Sequence, residues 1–115
     1  MLRELAGRTH AVVSGLCLRY DPGYQELIKR VHDGAIGKIV ALQANDYRGQ
    51  LWVKPRESGW SDMTWQMRNW YYFTWICGDQ IVEQHVHNID VMNWCFNGHP
   101  VSAYGMGGRQ VRTDP

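Results

Sequence analysis

At 115 residues, with 44% hydrophobic side chains and 12 basic against 11 acidic groups for a formal net charge of +1, the chain is one ordinary domain or less. It has neither the basic footprint of a nucleic-acid binder nor the charge that draws a protein to a membrane surface. No apolar run reaches transmembrane length, Met1-Leu2-Arg3-Glu4 opens no signal peptide, and the odd trio Cys17, Cys77 and Cys95 lacks C-x-x-C spacing, so reduced thiols and a cytoplasmic location are expected, with an exported form left open.

In chain order, Ala11 to Leu18 is a short β-rich run. Asp21-Pro22 supplies an N-cap and a proline at the first helical position, and Tyr24, Leu27, Ile28 and Val31 give an apolar helix face closed by Asp33-Gly34. Ile39 to Tyr47 reads as a strand, with Val40, Leu42 and Ala44 alternating against Ala41, Gln43, Asn45 and Tyr47. Arg48 to Trp75 reads as an aromatic-rich loop holding five of the six tryptophans among Arg56, Ser61, Thr64, Gln66 and Arg68. Such rings pair large apolar faces with polar tips and suit the faces and hydroxyl rims of a polyol, or they close over a sheet or a subunit contact. From Gly78 to Asn97 the apolar positions Ile81, Val82, Val86, Ile89, Met92 and Phe96 recur at helical steps, with Asp79 as the expected N-cap and Asn97-Gly98 as the stop. A last short strand is expected at Val101 to Met106.

The helix from Gly78 carries the densest chemistry. Glu83, His87, Asp90 and Trp94 sit at i, i+4, i+7 and i+11, a stripe whose successive members lie roughly 5 to 6 Å apart at Cβ. A carboxylate one turn from an imidazole can orient the ring, fix its tautomer and stabilise the imidazolium, which makes the pair a proton relay; the plainer reading is a solvated surface pair. His85 and His87 with Glu83 also suggest a metal cluster, but on a helix the two imidazoles point about 200° apart, so a metal-dependent enzyme using this H-x-H segment requires a strand there. His10, His32 and His99 read as caps or fillers.

GDQIVEQHVHNIDVMNW, together with LRYDPGYQELIKRVHDGAIGKIVALQAN upstream and HPVSAYGMGGRQ downstream, resembles the substrate-domain side of the Gfo/Idh/MocA oxidoreductases, named for glucose-fructose oxidoreductase and inositol dehydrogenase. The likeness runs from about Val12 to the end. It implies an α+β architecture: residues 1–18 as a remnant of the end of a Rossmann domain that is otherwise missing, with Ala11 to Leu18 as its last strand, and residues 19–115 as part of a C-terminal substrate and oligomerisation domain with a mostly antiparallel sheet. It also implies a parent protein about three times longer, with a Glu-Lys-Pro motif upstream of Met1 and homo-oligomerisation through the sheet. The parent would use NAD or NADP on a sugar, cyclitol or related polyol. The chain itself is expected to bind neither cofactor nor metal, since Gly105-Met106-Gly107-Gly108 lacks the G-x-G-x-x-G spacing of a dinucleotide turn.

Position by position, the resemblance makes His87 the acid or base on the reacting hydroxyl and puts Glu83 at the family's aspartate position, one methylene longer. Asn45 and Tyr47 correspond to positions that look towards substrate. Arg68 and Arg19 follow by proximity to matched segments, and Arg19 serves equally as an ion-pair partner. The alternative to an oxidoreductase is a polyol-binding or oligomerisation module without catalysis.

Overall fold

The computed structural model describes residues 15–108. A 3-10 turn, Cys17–Tyr20, leads into helix α1, Pro22–His32; an irregular stretch follows, then α2, Asp62–Arg68, a second 3-10 turn, Trp70–Tyr72, and three helices in close succession, α3, Thr74–Cys77, α4, Asp79–Glu83, and α5, His85–Phe96. Helix α5 packs against α1 and the first 3-10 turn, while α3 and α4 pack beside the second.

Local chemistry explains α1. The Asp21 side chain accepts from the Tyr24 N–H at 3.0 Å and Pro22 occupies the first turn, so an orphan donor is satisfied and φ is preset. Lys29, Arg30 and His32 in the last turn oppose the negative end of the helix dipole. Gly34, at φ 89, then takes the left-handed turn that closes it. Ile28 is 1% exposed against α5, whereas Leu27, placed by the pattern on the same apolar face, is 55% exposed.

The expected antiparallel sheet is absent: no β-strand occurs among the described residues. Alternation specifies which face of an extended segment would be buried, but a strand exists only through a neighbour that takes its backbone hydrogen bonds. Val40 and Tyr47 are 90% and 91% exposed and Val101, Tyr104 and Met106 fully so, and among the described residues neither run enters a β ladder. The α+β assignment is therefore corrected to a helical one over these residues, and the sheet through which oligomers were expected is not formed by them. Of the β-rich run at Ala11 to Leu18, residues 11–14 lie outside the described residues, and Cys17 and Leu18 enter the first 3-10 turn.

A second correction concerns the aromatic stretch. Residues Asp62 to Arg68 form α2, capped by Ser61, whose Oγ accepts from the Thr64 N–H at 3.1 Å. Around it the rings pack on one another: Trp65 meets Phe73 edge-on at 5.4 Å, and Trp52 lies 6.0 Å from Trp70 and 5.8 Å from Tyr71. Asn69, 2% exposed, fastens the preceding extended segment to this cluster. Its Oδ1 accepts from the Lys54 N–H at 2.7 Å and its Nδ2 donates to the Lys54 and Trp65 carbonyls at 3.0 and 3.1 Å. The Tyr72 hydroxyl adds a 2.8 Å bond to the Leu51 carbonyl. These side chains do for the segment what a neighbouring strand would otherwise do.

The radius of gyration is 18.7 Å, against about 13 Å for a compact domain of 100 residues. Ile28 is the sole buried hydrophobe among the described residues, so cohesion rests on two local clusters, the α1–α5 contact and the aromatic group.

Candidate functional site

The expected single helix from Gly78 to Asn97 is divided. Gly78 and Asp79 both hold left-handed backbone, at φ 73 and 67, and set the corner between α3 and α4. A Cβ on Gly78 would sit 2.9 Å from the Val82 Cβ, so glycine is required there for space as well as for φ. Asp79 is the first residue of α4 and not its cap; its Oδ1 accepts from the adjacent Gln80 N–H at 2.7 Å. Gln84, at φ −116 and ψ −52, separates α4 from α5. The far end follows the sequence pattern, with Asn97 left-handed at φ 53 and the Gly98 N–H bonded to the Asn93 carbonyl at 3.1 Å. Ile81, Val82 and Phe96, expected to be buried, are 56%, 58% and 61% exposed.

The break at Gln84 redistributes the polar stripe. Asp90 takes the Arg19 guanidinium through two 2.8 Å hydrogen bonds, and the same guanidinium lies 5.1 Å over the Trp94 ring. Hydrogen bonding to Asp90, with its charge, holds the Arg19 pKa above its ordinary value. Glu83 accepts from the Gln84 side-chain amide. The Tyr71 hydroxyl is pushed above its ordinary value of 10.0, first by burial and then by hydrogen bonding and charge from Glu83, with Arg48 opposing. No hydrogen bond or ion pair joins Glu83 to His87, and the His87 Nδ1 is buried without a partner.

A cleft of about 1020 Å³ opens beside this corner, lined by Asp46, Arg48, Leu51, Tyr71, Tyr72, Thr74, Cys77, Asp79, Gln80, Ile81, His85 and the 104–108 segment. Asp46 and Arg48 are paired at 2.8 Å on its wall. His85 faces the cleft and His87 is not among its lining residues. Asn45 lines a separate cavity of about 240 Å³ with Tyr24, Asn88 and Cys95, and its carbonyl accepts from Asn88 Nδ2 at 3.5 Å. Tyr47 stands free at 91% exposure. The Arg68 guanidinium covers the Trp60 ring at 4.7 Å.

The structure thus gathers Glu83 and His87 at one junction, leaves Asn45 and Tyr47 on the extended segment, and commits Arg19 to α5. Sequence reasoning passed over His85, Tyr71 and Arg48. His85 was set aside because helical geometry opposes it to His87, and that opposition is what places it on the cleft. Among the described residues no group of three or more His, Cys, Asp or Glu side chains could hold a metal ion, and no helix is long and apolar enough to cross a membrane.

A glutamate and a histidine thus meet at the joint of two helices, beside an open cleft with a polar and aromatic lining. The family model for the GFO/IDH/MocA C-terminal domain matches residues 24–115, and the chain belongs to that family, whose members are generally oxidoreductases and typically NAD(P)-dependent. No curated protein and no solved structure matches it.

Proposed function

We propose that this domain is the substrate side of an NAD(P)-dependent oxidoreductase acting on a hydroxyl or carbonyl of a sugar, cyclitol or related polyol. The observation that carries the reading is the uncommitted imidazole of His87, a residue to which the resemblance assigns acid–base work. Asp90, on the same stripe, is spent on Arg19, whereas His87 has a buried Nδ1 that no protein group occupies. In this reading His87 takes or returns the proton of the reacting hydroxyl, and Glu83, which here holds the Gln84 amide and not the ring, turns to the imidazole only when substrate is bound. Asn45, Tyr47 and Arg68 belong to the substrate side, and Arg19 acts by holding α5 in place.

The described residues contain no glycine-rich strand-to-helix turn that fits a dinucleotide pyrophosphate. The contribution assigned to this chain is to bind the polyol and move its proton, in a parent enzyme that we place in the cytoplasm. The cleft beside the junction favours a polyol, since Tyr71 and Tyr72 offer flat apolar faces beside the polar groups of Asp46, Arg48 and His85; its own imidazole is His85, so the part given to His87 rests on the family resemblance and not on this lining.

The test is nicotinamide-linked oxidation by the parent enzyme across a panel of sugars and cyclitols. Saturable turnover on at least one of them is the expected result. Polyol binding to this domain without any turnover in the parent would favour the alternative of a binding module that has lost its chemistry.

A further inference from the structure

His85 is the first residue of α5, directly after the break at Gln84, and it is half-buried on the wall of the cleft of about 1020 Å³. His87, two residues on, leaves the helix about 200° away around its axis and is not on that wall. The H-x-H pair is therefore split between two sides of α5. Among the described residues no group of side chains that could hold a metal ion claims either ring.

The other half-buried polar side chains of the wall are already spent. Asp46 is paired with Arg48 at 2.8 Å, the Tyr72 hydroxyl donates to the Leu51 carbonyl at 2.8 Å, the Tyr71 hydroxyl is engaged with Glu83, and Cys77 Sγ donates to the Tyr71 carbonyl at 3.3 Å. His85 alone among them makes no hydrogen bond or ion pair with any described residue. Its nitrogens are not among the buried unpaired atoms, which are Gln84 Oε1 and His87 Nδ1, so they stay open to solvent and to whatever enters the cleft.

The chemistry of the ring fits the chemistry of the wall. A neutral imidazole offers one donor and one acceptor, and a hydroxyl also does both, so the two pair in either direction. Arg48 adds donors, Asp46 adds acceptors, and the tyrosine rings supply flat faces for the C–H side of a sugar or cyclitol.

We propose that His85 is a substrate-contacting residue of this cleft, whose imidazole hydrogen-bonds a hydroxyl of a polyol seated against Tyr71 and beside the Asp46–Arg48 pair. It recognises the ligand, whereas the part given to His87 is proton transfer, and the placement of the two rings on different sides of α5 makes the two roles separable. That the ligand is a polyol rests on the function proposed above; that His85 is the contact rests on the cleft.

The test follows the imidazole resonances of the full chain during titration with myo-inositol and with D-glucose. A saturable shift of the His85 ring with at least one of them is expected, while His32, committed to the Trp94 carbonyl, and His99 stay still. A His85 ring that moves with neither probe, or no more than His99 does, would overturn the proposal without any variant being made. In the parent enzyme His85→Leu is expected to raise KM for the best polyol roughly tenfold with a much smaller change in kcat, and His85→Gln, which keeps a donor and an acceptor, to recover part of that loss. An unchanged KM in His85→Leu would also overturn it. A saturable His85 shift in a chain whose parent shows no nicotinamide-linked turnover would uphold the contact and remove the oxidoreductase reading. Turnover with an unmoved His85 would do the reverse.

Discussion

Arg19 and Asp90 lie 71 residues apart in sequence and are joined by two parallel 2.8 Å hydrogen bonds. The bond ties the first 3-10 turn to the middle of α5, and the guanidinium covers Trp94 in the same pose. With the His32 ring 2.9 Å from the Trp94 carbonyl, it sets where α5 lies against α1.

Breaking that pair is expected to loosen α5 without touching the cleft directly. The Arg19 side chain is 42% exposed and that of Asp90 12%, so solvent screening limits the coupling to about 1 kcal/mol. A double-mutant cycle with Arg19→Leu and Asp90→Asn in urea unfolding measures it. Zero coupling would show that the pair is an incidental surface contact and that α1 alone holds α5.

Asn69 is expected to matter more for stability than any charged residue in the chain. Asn69→Ala leaves the Lys54 N–H without its acceptor and takes one donor from each of the Lys54 and Trp65 carbonyls, which keep the Trp65 Nε1–H at 3.3 Å and the Asn69 backbone N–H at 3.1 Å, at a cost of about 1–3 kcal/mol. Asn69→Asp should do at least as much harm, because a carboxylate would face the Lys54 and Trp65 carbonyls that now receive N–H donors. Equal urea midpoints for the unaltered chain and both variants would refute the clamp.

Tyr71 is expected to ionise late. Burial and Glu83 keep its folded-state pKa above the ordinary 10.0, so above that value the unfolded chain releases the proton first. Stability therefore falls as pH rises from the ordinary value through the folded one. Ultraviolet titration of tyrosinate should show one late step, absent in Tyr71→Phe and moved to lower pH in Glu83→Gln. An unmoved late step in Glu83→Gln would separate Glu83 from the Tyr71 ionisation.

Legibility followed the range of the interaction that shapes each element. The limits of α1 are written locally in Asp21-Pro22 and Asp33-Gly34, and the end of α5 in Asn97-Gly98, because a cap needs only neighbours. The start of α2 was equally local in Ser61-Asp62, yet the density of aromatic rings read as a loop. The break at Gln84 interrupts an apolar period that continues across it, so periodicity alone joined α4 and α5. Strands at Ile39 to Tyr47 and Val101 to Met106 were inferred from alternation, which carries no information about a partner strand. Asn69 was invisible for a related reason, since its value lies in a contact with Lys54, 15 residues away. Of the site, Glu83 and His87 were legible as a pair on one stripe, while the Gln84 amide that takes up Glu83 and the cleft beside His85 required coordinates.

The central claim is that His87 moves a proton in the reaction of the parent enzyme, and steady-state kinetics of the His87→Ala parent test it most directly. On whichever sugar or cyclitol the unaltered enzyme accepts best, turnover is expected to fall roughly 10²-fold or more while the affinity for the nicotinamide stays nearly unchanged. Unaltered turnover in that variant would contradict the account and take His87 out of the mechanism.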